Sequence, residues 1–272
     1  MLVSSAAFAV MYVLAKDLTV YGGYQTTFFR GLGTFVIALG YLLAKGISPL
    51  GNRPRWLFAR GITGAVSLLL FFLALEYVPV TGAVAVRYLS PFFAIAIVAV
   101  ALGERVRPIQ WFYLLVAFAG VVLAKGFDPR FTLLGFGLIL GSAVLGGVTL
   151  ALVRMIGTTE HPLVIVCYFT GLATLLGALG MWASPRGYTP PAAADWLPLI
   201  GLGVVGFVGQ IFMTVALQRE PASRVMPLKY VETVFLLLLG YAFLGETYGV
   251  WALVGMLLIL VGNVLNVVEG RS

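Results

Sequence analysis

The chain has 272 residues, of which 61% are hydrophobic and only 10% charged, with a mean hydropathy of +1.05. That balance excludes an ordinary soluble protein and points to a polytopic membrane protein. A net charge of +7 would suggest nucleic acid in a soluble chain, but here most Lys and Arg fall in short gaps between apolar runs. This is the footprint of the positive-inside rule, and no nucleic-acid partner is expected.

The first apolar run, MLVSSAAFAVMYVLAKDL, lacks the basic residues that precede a signal-peptide core and reads as a transmembrane helix. A span needs roughly 17 to 25 mostly apolar residues. Breaks at charges, Pro and Gly clusters then predict ten: about 2–20, 24–44, 57–77, 80–102, 109–125, 133–154, 161–183, 196–217, 222–244 and 249–268. The gaps are too short for an extramembrane domain, so all chemistry happens within or across the bilayer.

Two stretches read as copies. Moving Phe71–Val106 along by 142 positions lays Arg87 and Tyr88 on Lys229 and Tyr230, and Leu102, Gly103 and Glu104 on Leu244, Gly245 and Glu246. Pro79 falls on Pro221 by the same shift. The predicted domains are therefore residues 1–130 and 131–272. Five spans in each is an odd number, so the second unit enters the membrane from the opposite side. The expected fold is all-α integral membrane: ten transmembrane helices as two inverted five-helix repeats.

Loop charges orient it. With the N-terminus cytoplasmic, the inner segments hold ten basic residues: Lys45, Arg53, Arg55, Arg60, Arg105, Arg107, Arg154, Arg219, Arg224 and Arg271. The outer segments hold four, Lys16, Lys125, Arg130 and Arg186, which places both termini inside. Arg30, Arg87 and Lys229 remain, and they fall within spans. An intramembrane Arg or Lys costs about 2.5 to 3.5 kcal/mol at helix centre, so three imply a penalty on the order of 8 kcal/mol unless they pair, snorkel or face water. Arg87 lies roughly 12 Å from one helix end and 25 Å from the other.

Arg87 and Lys229 are thus candidate substrate-binding residues for an anionic group. The structural alternative is that they pair with carboxylates or carbonyls and hold helices together. Glu232 is the acidic residue well inside a span and lies three residues after Lys229, on the same helical face. It is a candidate counter-ion or proton-coupling group. Tyr88 and Tyr230 offer a hydroxyl and a ring beside the cations, with core packing an equal reading. Tyr12, Gln210, Asn263 and Asn266 read as interhelical hydrogen bonders.

Other patterns carry no chemistry. Gly201, Gly203 and Gly206 spell GxGxxG inside an apolar span with no preceding strand, which excludes a dinucleotide fold. With Gly31, Gly33, Gly137 and Gly141 they are expected to let helices approach. Glu104 and Glu246 end spans at opposite faces and read as anchors. One cysteine, Cys167, and one histidine, His161, leave no intrachain disulfide and no expected metal or cofactor. No catalytic triad, HExxH or P-loop is present, so no enzyme and no ATP-driven pump is expected.

The repeated LeuGlyGlu, the Gly-bearing helix that follows it (Gln110 to Ala124, Trp251 to Asn266) and the PheArgGly early in the second span resemble the drug/metabolite transporter superfamily, EamA type. The resemblance covers essentially the whole chain. Departures lie at Phe169, Thr170 and Gly171, which stand where Phe29, Arg30 and Gly31 would repeat, and at Thr233 opposite Pro91. The resemblance implies a secondary transporter working by alternating access around a central cavity. It also implies a small-molecule substrate, with a proton or counter-substrate as coupling partner and a homodimer left open. Arg30 gains a ligand or gating role by the same resemblance. The substrate expected is a small organic acid, amino acid or phosphorylated metabolite, exported or exchanged across the cell inner membrane. The alternative is a neutral or cationic substrate, such as an aromatic amino acid or a drug, with the cations structural.

Overall fold

The computed structural model describes residues 1–78, 80–104, 106–125, 132–244 and 249–269. Pro79, Arg105, Arg130, Gly245, Glu246, Tyr248 and Arg271, and the side chains of Lys16, Lys125, Asn263 and Asn266, lie outside the described residues. The described residues form helices joined by short turns, without strands. In chain order they form α1 (Leu2–Lys16), α2 (Gly22–Ala44), α3 (Pro54–Ala74), α4 (Val80–Arg87), α5 (Ser90–Leu102) and α6 (Pro108–Lys125). There follow α7 (Leu133–Ile156), α8 (Pro162–Ala183), α9 (Trp196–Arg219), α10 (Ala222–Val225), α11 (Val231–Leu244) and α12 (Val250–Glu269). Six of these helical stretches are long and apolar enough to cross a membrane. Four shorter apolar helices, Leu2–Ala15, Ser90–Leu102, Pro108–Leu123 and Leu253–Gly262, accompany them. Their outward faces are apolar, with Val100, Leu133 and Trp182 almost fully exposed, as suits contact with lipid.

Two expected spans are not continuous. Residues 80–102 divide at Tyr88–Leu89, because Pro91 has no N–H to donate to the Arg87 carbonyl four residues back. Ser90 Oγ donates to that carbonyl instead, at 2.7 Å. Residues 222–244 divide into α10, a 3-10 turn over Pro227–Tyr230, and α11. Here Pro227 withholds the donor. Arg87 therefore ends one helix and Lys229 sits in a 3-10 turn, so both cations lie at interruptions of a helix.

Helix pairs meet through small residues and hydroxyls rather than large apolar ridges, the packing expected where lipid tails are as apolar as leucine. A Cβ on Gly33 would stand 2.8 Å from Gly203 Cα, which brings α2 onto α9 backbone to backbone. α6 meets α12 reciprocally: Gly120 lies against Gly255 and Ile259, and Gly262 against Tyr113 and Ala117. Ser142 Oγ bonds the Ser67 carbonyl at 2.7 Å, joining α7 to α3, and Ser4 Oγ bonds the Gly209 carbonyl at 2.7 Å, joining α1 to α9. Gly137 has no atom within 4 Å of a built Cβ, so it makes no close approach, contrary to expectation.

Polar clusters close the bundle at both ends. At one, Glu76 Oε1 accepts from Gly23 N at 2.8 Å, Gln25 exchanges two hydrogen bonds with the Thr189 backbone, and Tyr21 bonds Asp195. At the other, Glu160 accepts from the Asn52 and Arg53 amides, and Gln218 Nε2 donates to the Gly157 and Glu160 carbonyls. There Glu104 also pairs with Arg154 at 2.6 Å and accepts from Ala222 N at 3.3 Å. Glu104 is thus an anchor tying three chain segments.

Candidate functional site

A cavity of about 60 Å³ lies between these ends. That is several times the roughly 10 to 15 Å³ needed to hold one water. Arg30 from α2, Arg60 from α3, Arg87 from α4 and Lys229 from the 3-10 turn all line it. Tyr12, Phe8 and Met11 of α1, Ser67 and Gly64 of α3, Ser90 of α5, Thr149 of α7 and Gln210 of α9 add to the wall. The sequence-predicted cations Arg30, Arg87 and Lys229 are therefore brought together, and Arg60 joins them.

Each cation is seated on an aromatic ring. Arg60 and Arg30 share Phe169 of α8, their guanidinium carbons 4.5 and 5.6 Å from its centroid. Arg87 lies 4.4 Å above the Phe71 ring and Lys229 5.2 Å from that of Phe8. Such contacts offset part of the cost of burying a cation, on the order of 2 kcal/mol when desolvated, but they supply no hydrogen-bond acceptor. The backbone makes room for Arg60 with glycine: a Cβ on Gly64 would stand 2.6 Å from its guanidinium.

The acidic content is small. Glu232, fully buried at the start of α11, faces Lys229 Nζ at 3.5 Å and accepts from Tyr88 Oη at 3.0 Å. Among the described residues it is the carboxylate that meets the cavity's cations. Four cations against one carboxylate leave a strong positive excess in an interior that screens charge poorly.

Hydrogen bonding is correspondingly incomplete. Arg30 Nη1, Arg60 Nε and Nη1, and Gln210 Nε2 are buried with no partner among the described residues. All four are donors on residues that line the cavity. Arg30 Nε meets only the soft sulfur of Met11, at 3.2 Å.

Tyr88 and Tyr230 stand beside this wall, not in it. Their rings meet edge to face at 5.6 Å, and Tyr230 Oη donates to the Tyr88 carbonyl at 3.0 Å. Both are fully buried, and with Tyr88 Oη on Glu232 they brace the two helix interruptions against each other. Thr170, opposite Arg30 in the duplicated pattern, bonds its own helix at the Val166 carbonyl, 2.9 Å away, and packs beside Gly31.

Arg60 is the cavity-lining cation that sequence reasoning missed; it belongs to α3, not to an inner loop. It is 1% exposed, within the second turn of α3. Its signal was available: it lies inside the predicted span 57–77, and the 142-residue shift lays Gly61 and Gly64 beside it on Gly203 and Gly206.

The EamA-like transporter family profile matches residues 1–125 and 133–268. A pseudopaline exporter of Pseudomonas aeruginosa (strain UCBPP-PA14) is 30% identical over 95% of this chain and 91% of its own length. Human solute carrier family 35 member G1 is 25% identical, over 97% of this chain and 76% of its own. A riboflavin transporter of Rhizobium johnstonii is also 25% identical, over 96% and 87%. A crystal structure of a protein with 20% identity superposes over 100% of this chain and 96% of its own at a TM-score of 0.83, a likeness of fold. Matched along nearly its whole length, with an apolar helical bundle closed around a polar cavity, the chain belongs to the EamA-like transporter family of the drug/metabolite transporter superfamily and is a membrane transporter, not an enzyme.

Proposed function

We propose that this protein is a secondary transporter that moves a small anionic organic metabolite, carboxylate-bearing above all, across the cell inner membrane by alternating access. The observation that carries the reading is the meeting of Arg30, Arg60, Arg87 and Lys229 on one cavity where, among the described residues, Glu232 alone brings a carboxylate to them. An anion entering this site satisfies donors that are otherwise orphaned, and an unpaired buried donor costs about 1 to 3 kcal/mol, more when charged. Arg87 and Lys229 face the negative group, and Arg30 lines the same cavity from α2. Tyr88 and Tyr230 act from behind by holding Glu232 and the helix interruptions, and they meet substrate when the halves part.

The inverted ten-span arrangement belongs to this proposal and draws support from reciprocal packing. Gly120 and Gly262 exchange equivalent partners across α6 and α12. The Ser142–Ser67 contact has its counterpart in Ser4–Gly209, and Gly209 lies 142 residues beyond Ser67. Charge supports the orientation with cytoplasmic termini: Arg53, Arg154 and Arg224 gather at the end closed by Glu160 and Glu104, and Arg186 at the other. Export is the direction favoured, as for the relative named a pseudopaline exporter. Glu232, bridging Lys229 and Tyr88, is the group placed to exchange a proton or counter-charge as substrate arrives.

Uptake into proteoliposomes tests the reading. Labelled carboxylates should be transported by the unmodified protein, and Arg87→Gln and Lys229→Gln should reduce that transport by at least tenfold. Transport confined to neutral or cationic compounds, unaffected by either substitution, would return the cations to a structural role.

A further inference from the structure

The positive charge of the cavity is spread along its length. The Arg60 guanidinium reaches along α3 to Gly64, seven residues and therefore about 10 Å along the axis from Phe71. Arg60 meets Phe169 at one level, with Arg30 on the same ring, and Arg87 lies on Phe71 at the other. Lys229 is already engaged by Glu232 at 3.5 Å, and among the described residues Arg87 meets no carboxylate. Nearest the Phe169 end are three orphaned guanidinium nitrogens, Arg30 Nη1 and Arg60 Nε and Nη1, on side chains that are 3% and 1% exposed.

A single carboxylate at Arg87 leaves those three nitrogens without acceptors. Water can fill the gap and accept, but it neutralises nothing. Rings attract the guanidinium faces and leave the in-plane N–H groups unused. What fits is a second anionic group, because a carboxylate accepts two parallel bonds from a guanidinium fork.

We propose that the cavity takes a small dianionic ligand, a dicarboxylate in its simplest form, with one end on Arg30 and Arg60 and the other on Arg87. This rests on the reading of the protein as an anion transporter and adds to it that Arg60 selects two-ended ligands. Arg60 is thereby a binding residue rather than a helix anchor, and the free protein carries it at a cost that the ligand relieves.

Thermal stabilisation of the purified full chain tests this, with malonate to adipate compared against monocarboxylates of equal carbon number and against inorganic phosphate. At least one dicarboxylate should show an apparent affinity at least tenfold above its monocarboxylate. Arg60→Gln should bring that dicarboxylate down to the monocarboxylate level and leave the monocarboxylate unchanged. The ligand-free Arg60→Gln protein should melt no lower than the unmodified one, because an unpaired buried charge has been removed. Equal affinity for one- and two-ended ligands, or phosphate binding as tightly as the best dicarboxylate, would overturn the two-ended site and leave anion transport standing. A lower melting point for ligand-free Arg60→Gln would identify a structural arginine and overturn it too. Failure of every anion to stabilise the unmodified protein would remove the anion reading itself. The comparison of ligands on the unmodified protein decides the matter even if the variant does not fold.

Discussion

In the first half of the molecule Arg30, Arg60 and Arg87 reach the cavity. The residues that correspond to them in the second half are Thr170, Leu202 and Lys229. Thr170 bonds its own helix and Leu202 is fully buried, so Lys229 alone brings charge from that side. The close contacts show no such inequality. Gly120 and Gly262 exchange equivalent partners across α6 and α12. Duplication has preserved the way helices meet, while the chemistry has been concentrated in one copy. Packing shared between the halves thus accompanies an unequal distribution of charge around the cavity.

If packing is shared, its disruption should be equally costly on either side. Gly33→Leu and Gly203→Leu force a side chain into facing backbone 2.8 and 2.7 Å from the built Cβ. Each should cost about 3 kcal/mol or more, by overpacking that rotamer change cannot relieve. Gly120→Leu and Gly262→Leu, built at 2.6 and 2.9 Å from backbone oxygens, should match one another in the same way. Yield of folded protein and thermal midpoint in detergent are the readouts. A pair in which one member is tolerated would break the comparison.

If chemistry is not shared, giving first-half residues their second-half identities should spare the fold and remove function. Arg30→Thr and Arg60→Leu should each lower dicarboxylate affinity by tenfold or more, about 1.4 kcal/mol. Arg87→Lys, which keeps the charge but loses the planar fork, should lose less. Binding isotherms on folded variants check the order, and an Arg60→Leu variant that binds dicarboxylates normally would restore symmetry to the site.

The duplication and three of the four cations were legible because charge inside an apolar run is costly enough to stand out. Arg60 was not, because it follows Arg53 and Arg55 closely and merges with the loop cluster, and because Leu202 erases it from the repeat. The tyrosines were misleading for a geometric reason. Consecutive residues on a helix do not share a face, so the neighbour of a cavity-facing cation points elsewhere. Tyr88 and Tyr230 accordingly meet each other and Glu232 behind the wall. The helix interruptions escaped notice because Pro91 and Pro227 do not correspond under the 142-residue shift, though each acts on the helix that carries a cation.

Anchoring at the ends gives a smaller effect that sharpens the same contrast. Glu104 is 17% exposed, bonds Arg154 at 2.6 Å and holds the Ala222 amide, whereas Glu220 is half exposed and pairs with Arg224 one turn along the chain. Glu104→Gln should therefore cost about 1 to 2 kcal/mol, below the value for a fully buried pair because water still reaches both partners. Glu220→Gln should stay within about 0.5 kcal/mol. Equal losses would mean that the anchor owes nothing to its burial.

The smallest effect expected comes from a glycine outside the shared packing. Gly137 lies in α7 with no atom within 4 Å of a built Cβ, and it is not among the positive-φ glycines. Alanine there meets no neighbour and removes the extra backbone freedom of the unfolded chain, so Gly137→Ala should stabilise by about 0.5 to 1 kcal/mol. Its contrast with Gly33 separates two reasons for glycine in an apolar helix. One allows backbones to touch, and the other is residual freedom that nothing in the packing requires. A Gly137→Ala variant that unfolds earlier or transports more slowly would show that α7 uses this freedom when the halves rearrange, and the glycine would then belong to the moving parts rather than to the lipid-facing surface.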